Sequence, residues 1–131
     1  MIDFNETMHE QQLYDGIFIL LKDSMKVLPF NPRTPEHGIY AVMGTITTDY
    51  NLPKTQVTGE ITVTIDIYGD EYQRWDVTNT AKLVYNRLYR GVTTPNYKFN
   101  LDMYTSSYST EQIDYDDHTE THGIVTLTFN F

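Results

Sequence analysis

Cysteine is absent from this 131-residue chain, so neither disulfides nor thiolate metal sites contribute. That absence fits a reducing compartment. Positive charge is scarce: 9 Lys and Arg against 18 Asp and Glu leave a net charge of −9. A chain of this sign is repelled by phosphate backbones and anionic membranes, which argues against broad nucleic-acid or lipid binding. Long apolar runs are missing too. The longest, Ile17 to Leu21, is far too short to cross a bilayer. The first ten residues carry acids and no basic stretch of the kind that opens a secretion signal. There is no G-x-S-x-G, no H-E-x-x-H and no phosphate-cradling glycine loop. Ser24, Ser106, Ser107 and Ser109 have no histidine at a suggestive spacing. Repeats and low-complexity segments are also lacking.

What is abundant is tyrosine, 11 in all. Tyrosine supplies large amphipathic area at low entropic cost, which suits protein–protein surfaces. It is also a favoured strand residue, so the count fits a β-rich fold equally well. A chain of this length makes one domain and can bury roughly two thirds of the surface its unfolded form exposes.

Thr7 and Glu10 have capping-box spacing, and Leu13, Ile17, Leu20, Leu21 and Leu28 follow at helical intervals. The spacing predicts a helix over about 7–27, ended by Pro29 and Pro32. Gly16 lies inside it, a weakness of about 1 kcal/mol relative to alanine unless close packing requires it. Residues 38–48 read as a strand with both parities partly apolar, hence covered on both faces. Residues 49–59 read as a long polar hairpin loop. Ile61, Val63, Ile65 and Ile67 then alternate with Glu60, Thr62, Thr64 and Asp66, the cleanest strand pattern in the chain. Asp70 is placed to cap a second helix whose apolar stripe is assigned to Trp75, Thr78, Ala81, Val84, Tyr85 and Leu88. Trp75 is expected in the core. Arg87 and Arg90 suit the last turn, and Gly91 suits the position beyond it. Tyr97, Phe99, Leu101 and Met103 alternate as another strand, with a bend or turn at 106–109. From Asp114 to Phe131 one parity is polar (Asp114, Asp116, His118, Glu120, His122) and the other then turns apolar (Val125, Leu127, Phe129, Phe131). That alternation reads as one final strand with one wet face. The order helix–strand–strand–helix–strand–strand predicts an α+β two-layer domain, with helices on one face of a mostly antiparallel four-stranded sheet.

His118, Glu120 and His122 would share one strand face, a candidate metal set. Alternate strand positions lie about 6–7 Å apart, too far to converge on one small cation without another element. Asp114, Asp116 and Asp117 lack the glycine and terminal glutamate of a calcium loop. The expectation is therefore no metal, no cofactor and no catalysis. The acidic tip around Asp114 and Asp116 and the long loop with Tyr50 and Leu52 are the candidate subunit contacts, on loop length and polarity alone.

The second strand, GEITVTIDIYGDEY (Gly59 to Tyr72), runs directly into a helix that ends in KLVYNRLYRG (Lys82 to Gly91). With the leading helix, the Pro-rich loop and two closing strands, this arrangement resembles the tail terminator, or tail completion, proteins of long-tailed bacteriophages. Tyr68, Gly69, Asp70 and Tyr72 match the strand–helix junction of that family, although Tyr68-Gly69 stands where many members carry Trp-Ser. The resemblance implies a structural virion protein of the tail or neck, made in the host cytoplasm. It implies a homohexameric ring on the head-proximal end of the tail tube, with tail tube protein and head connector protein as partners. DNA would pass through without specific binding, and no membrane is involved. Rival readings are another head–tail connector or neck protein, and a soluble acidic α+β module that binds a protein. The last is a small hydrolase or metal enzyme using His118, Glu120 and His122.

Overall fold

The computed structural model describes residues 9–32, 38–51 and 58–131. Two helices, α1 (His9–Leu21) and α2 (Arg74–Leu88), pack on a sheet of β1 (Val27–Leu28), β2 (Tyr40–Asn51), β3 (Thr58–Asp70), β4 (Val92–Thr93), β5 (Lys98–Asp114) and β6 (Thr119–Asn130). The strand order is β1-β2-β3-β6-β5-β4. All pairings are antiparallel except β1 with β2. The fold is thus α+β, with six strands in place of the expected four. The two additions are two residues each, too short to leave a periodicity in sequence.

The alternating pattern of β3 decides the core. Ile61, Val63, Ile65 and Ile67 are fully buried, as are Val125, Leu127 and Phe129 on β6. Register pairs Ile61 with Phe129, Val63 with Leu127 and Ile65 with Val125, so the two central strands turn the same parity inward. Onto this face α1 lays Leu13, Ile17 and Leu21, and α2 lays Val77, Ala81, Val84 and Leu88. Each such fully buried aliphatic contributes about 1.5–3 kcal/mol relative to exposure. Gly16 is explained by close approach: a Cβ there would lie 2.5 Å from Val92 Cγ1 of β4.

Several sequence expectations are corrected. α1 stops at Leu21 rather than near residue 27. Met25 N–H still donates to Leu21 O, but Val27 and Leu28 leave to pair with Ala41 and Val42. Asp70 does not cap α2. Its Oδ1 accepts the Tyr72 N–H at 2.8 Å in a turn, while Gln73 takes the N-cap position without a side-chain cap. Trp75 lies outside the core, with 74% of its surface exposed. It is about 160° around the helix from Val77, on the solvent side. The bend expected at 106–109 is instead strand, and the irregularity falls between Asp102 and Ser107. The polar alternation from Asp114 to His122 is not one strand: Asp114 ends β5, a turn follows, and β6 begins at Thr119. The long loop is narrower than expected, because β2 runs to Asn51 and β3 starts at Thr58. Leu52 and Thr7 lie outside the described residues. The coverage of 38–48 on both faces holds for Tyr40 to Met43, all buried.

Candidate interaction surface

Where β3, β6 and the β5–β6 turn converge, the sheet ends in an open cleft of about 610 Å³. Its walls come from two turns that backbone geometry dictates. On one side Asp70 N–H donates to Gln73 Oε1 at 2.9 Å, and the Asp70–Tyr72 turn throws Tyr72 into solvent, 87% exposed. On the other, Tyr115 N–H donates to His118 O at 2.7 Å and Thr119 Oγ1 donates to Asp114 Oδ1 at 2.8 Å, closing the hairpin. The floor carries Tyr40 and Tyr68, rings 5.5 Å apart. Tyr115 stacks on His118 at 4.7 Å. Around these rings stand Asp70, Glu71, Asp117 and Glu120, with no Lys or Arg among the described lining residues. Aromatic faces and carboxylates together favour a cation.

His118 is held within the rim, its Nδ1 2.6 Å from Asp117 Oδ1 and its Nε2 3.4 Å from Glu120 Oε1. The bond to Asp117 raises the imidazole above its ordinary value, desolvation opposes this, and Glu120 adds to the rise. The same bond to His118 holds the Asp117 carboxyl below its ordinary value. The signs follow from linkage. The contribution of His118 to stability is fully present below its unfolded pKa and fades as pH rises through the raised folded value. That of Asp117 is present above its unfolded pKa and fades as pH falls through the lowered folded one. NMR titration of the ring is expected to give His118 a midpoint above an unstructured histidine, and Asp117→Asn to bring it down. A midpoint unmoved by that substitution would disprove the pairing.

The face of the sheet away from the helices continues the same chemistry. His122 stacks on Tyr68 at 4.8 Å with the planes within 1°. Its Nε2 lies 2.8 Å from Asp66 Oδ1 and its Nδ1 3.4 Å from Glu111 Oε1. Register places Glu60 opposite Asp49 on this face. The candidate metal set is therefore divided: His118 sits in the turn and bonds Asp117, whereas His122 lies on β6 and bonds Asp66. Among the described residues no three His, Asp or Glu converge as a metal-holding group.

Of the proposed contact residues, Tyr50 lies on β2 opposite Gly59. Its hydroxyl is 2.9 Å from His9 Nε2 and donates to Glu10 Oε1 at 3.3 Å, tying β2 to the start of α1 while about half the residue stays exposed. Thr48 Oγ1 donates to the same carboxylate at 2.9 Å. Burial works to raise the Glu10 carboxyl, but the backbone, Thr48, His9 and Tyr50 together outweigh it and leave it lowered. Asp114 ends β5 and accepts from Thr119; Asp116 is exposed in the turn beside the cleft.

Two features escaped the sequence reading. The exposed side of α2 bears Trp75, Asn79, Lys82, Asn86 and Tyr89, a stripe at spacings of four and three. The spacing is legible in sequence once the buried stripe is placed on Val77 rather than Trp75. The second is a projection in β5. Asp102 Oδ1 accepts the Tyr104 N–H at 3.0 Å, Ser106 Oγ donates to Asp102 O at 2.7 Å, and Thr128 N–H donates to Ser106 Oγ at 3.1 Å. These bonds brace a bulge from which Tyr104 projects, 98% exposed. No pattern of residue types announces it. No helix among the described residues is long and apolar enough to cross a membrane.

No family model matches the chain, and no curated protein matches it. Among solved structures, the fold is similar to a chain in the virion of a native gene transfer agent (GTA) particle. The TM-score is 0.72 at 12% identity, over 95% of this chain and 98% of that chain. At this identity the likeness establishes a shared fold across nearly the whole length of both.

Proposed function

We propose that this chain is a structural virion protein that caps the head-proximal end of a phage-type tail tube, ends tube growth and offers the surface for head–tail joining. The observation that carries the reading is the fold shared with a chain of the gene transfer agent virion over 95% of the sequence. The strand–helix junction at Tyr68 to Tyr72, which resembles the tail terminators, supports it. Such a task makes and breaks no covalent bond. It requires two unlike faces on one subunit, repeated around a closed ring, with tube protein on one side and head connector on the other. The acidic, hydroxyl-bearing sheet face and the aromatic and basic face of α2 supply that asymmetry. The net charge of −9 keeps a passing duplex from adhering.

Electron microscopy of particles assembled without this protein tests the reading. Tails of excessive length and tails without heads are the expected result. Tails of normal length joined to heads would refute it.

A further inference from the structure

The cleft and the arginine pair Arg87 and Arg90 lie at opposite ends of one helix, while Arg74 at the cleft end has its guanidinium over the Trp75 ring, 6.0 Å from its centroid. Asp70 and Glu71 stand just before α2 begins, and Arg87 and Arg90 stand at its far end. A 15-residue helix spans about 22 Å, well beyond the reach of an arginine side chain. Arg87 and Arg90 of a subunit therefore cannot enter its own cleft. Lys82, Arg87 and Arg90 are exposed and have no ion-pair partner among the described residues. The cleft has four carboxylates, and His118 is the one basic side chain among its described lining residues. Asp117 and Glu120 share His118, whereas Asp70 and Glu71 have no ion-pair partner among the described residues, so each half keeps uncompensated charge within the subunit.

We infer that the cleft between Tyr68, Tyr72 and Tyr115 receives Arg87 and Arg90 of a second copy of this chain, in a head-to-tail contact. The chemistry of the two halves matches. Planar guanidinium groups stack on tyrosine faces and pair with carboxylates through two N–H donors, which an ammonium cannot reproduce. Tyr89, half exposed between the two arginines, adds an aromatic anchor of the kind that dominates contact energies. Because the acidic and basic half-sites differ, each copy leaves one of each free for the next, and the contact is heterologous. Such contacts close into rings when the rotation permits. The inference thus names the subunit junction of the proposed ring and to that extent rests on that reading, although the contact itself stands on charge and shape alone.

Sedimentation of the purified chain over a range of concentration and salt tests it. At low salt the mass is expected to exceed one subunit and to fall as salt rises, since screening shortens the reach of charges to about 10 Å at 0.1 M. Arg87→Glu with Arg90→Glu is expected to weaken self-association at least tenfold. So is Glu71→Lys with Glu120→Lys. A chain carrying all four reversals is expected to associate again, because the sign is restored at both halves. The milder Glu71→Gln with Glu120→Gln guards against loss of fold, checked by circular dichroism, and is expected to weaken association in the same direction. A single subunit mass under all conditions overturns the inference, and so does association that the arginine reversals leave untouched. Association with the expected charge dependence but normal tails in particles lacking the protein would retain the contact and refute the tail role.

Discussion

Gly91→Ala is expected to be among the most damaging single substitutions in this chain. Gly91 has φ of +85° where α2 hands over to β4, and its N–H donates to Leu88 O at 2.9 Å. A left-handed backbone costs an alanine about 1–2 kcal/mol by itself. Space adds to this, since a Cβ at Gly91 would lie 2.2 Å from the carbonyl oxygen of Phe99. That oxygen belongs to the β5 backbone beside a fully buried phenylalanine, so it cannot move as a flexible side chain would. The total expected loss is roughly 3–4 kcal/mol, at the upper end for a point change. Domains of this kind hold about 5–15 kcal/mol in all. Thermal unfolding followed by circular dichroism is expected to show a midpoint lower by on the order of 10 °C or more. A midpoint within a degree or two of the parent protein would show that β4 and β5 can separate freely, contrary to this account.

The second large effect is expected at Phe129. Its ring is fully buried at the junction of β3, β5 and β6, paired across the sheet with Ile61 and Leu101. It belongs to the cluster that also holds Phe99, Val63 and the inner faces of both helices. Phe129→Ala removes the ring and leaves a cavity that two flanking strands, fixed by their ladders, cannot collapse to fill. The expected cost is about 3–5 kcal/mol, read as a lower midpoint in urea with an unchanged slope. Tyr104→Ala is the contrast. That side chain is as large but 98% exposed, and its removal is expected to change stability by less than about 0.5 kcal/mol. Equal losses at the two positions would mean that burial is not what holds this fold.

The helix and strand content was written in local patterns. Ile61 to Ile67 alternate because one face of β3 must be dry, and a period of two has one structural meaning. The same holds for Val125 to Phe129. Val77, Ala81, Val84 and Leu88 mark a helix, whereas Trp75 is apolar by type but lies about 160° from Val77 and so falls outside that stripe. Tyr97, Phe99 and Leu101 alternate correctly, but the pattern misleads at Met103, where the bulge breaks the parity and exposes the residue. Asp114 to His122 deceived for a related reason. Polar residues on two strand ends and a turn alternate as well as those on one strand, since no apolar residue marks where the pairing stops.

The cleft was beyond local reading altogether. Tyr40, Tyr68 and Tyr115 are far apart in sequence and meet because β3 pairs with both β2 and β6. Spacing alone pairs His118 with His122, but the turn gives His118 to Asp117 while β3 brings Asp66 to His122. What the sequence alone determined is the α+β class, the core face of β3 and of β6 from Val125 to Phe129, and the acidic sign of the surface. These depend on periodicity and composition, which act over a few residues or over the sum of them. The strand order, the two-residue strands at the sheet margins and the gathering of tyrosines and carboxylates at one end of α2 were decided by tertiary structure. They depend on which distant segments share hydrogen bonds, a choice made by the burial of the whole core at once.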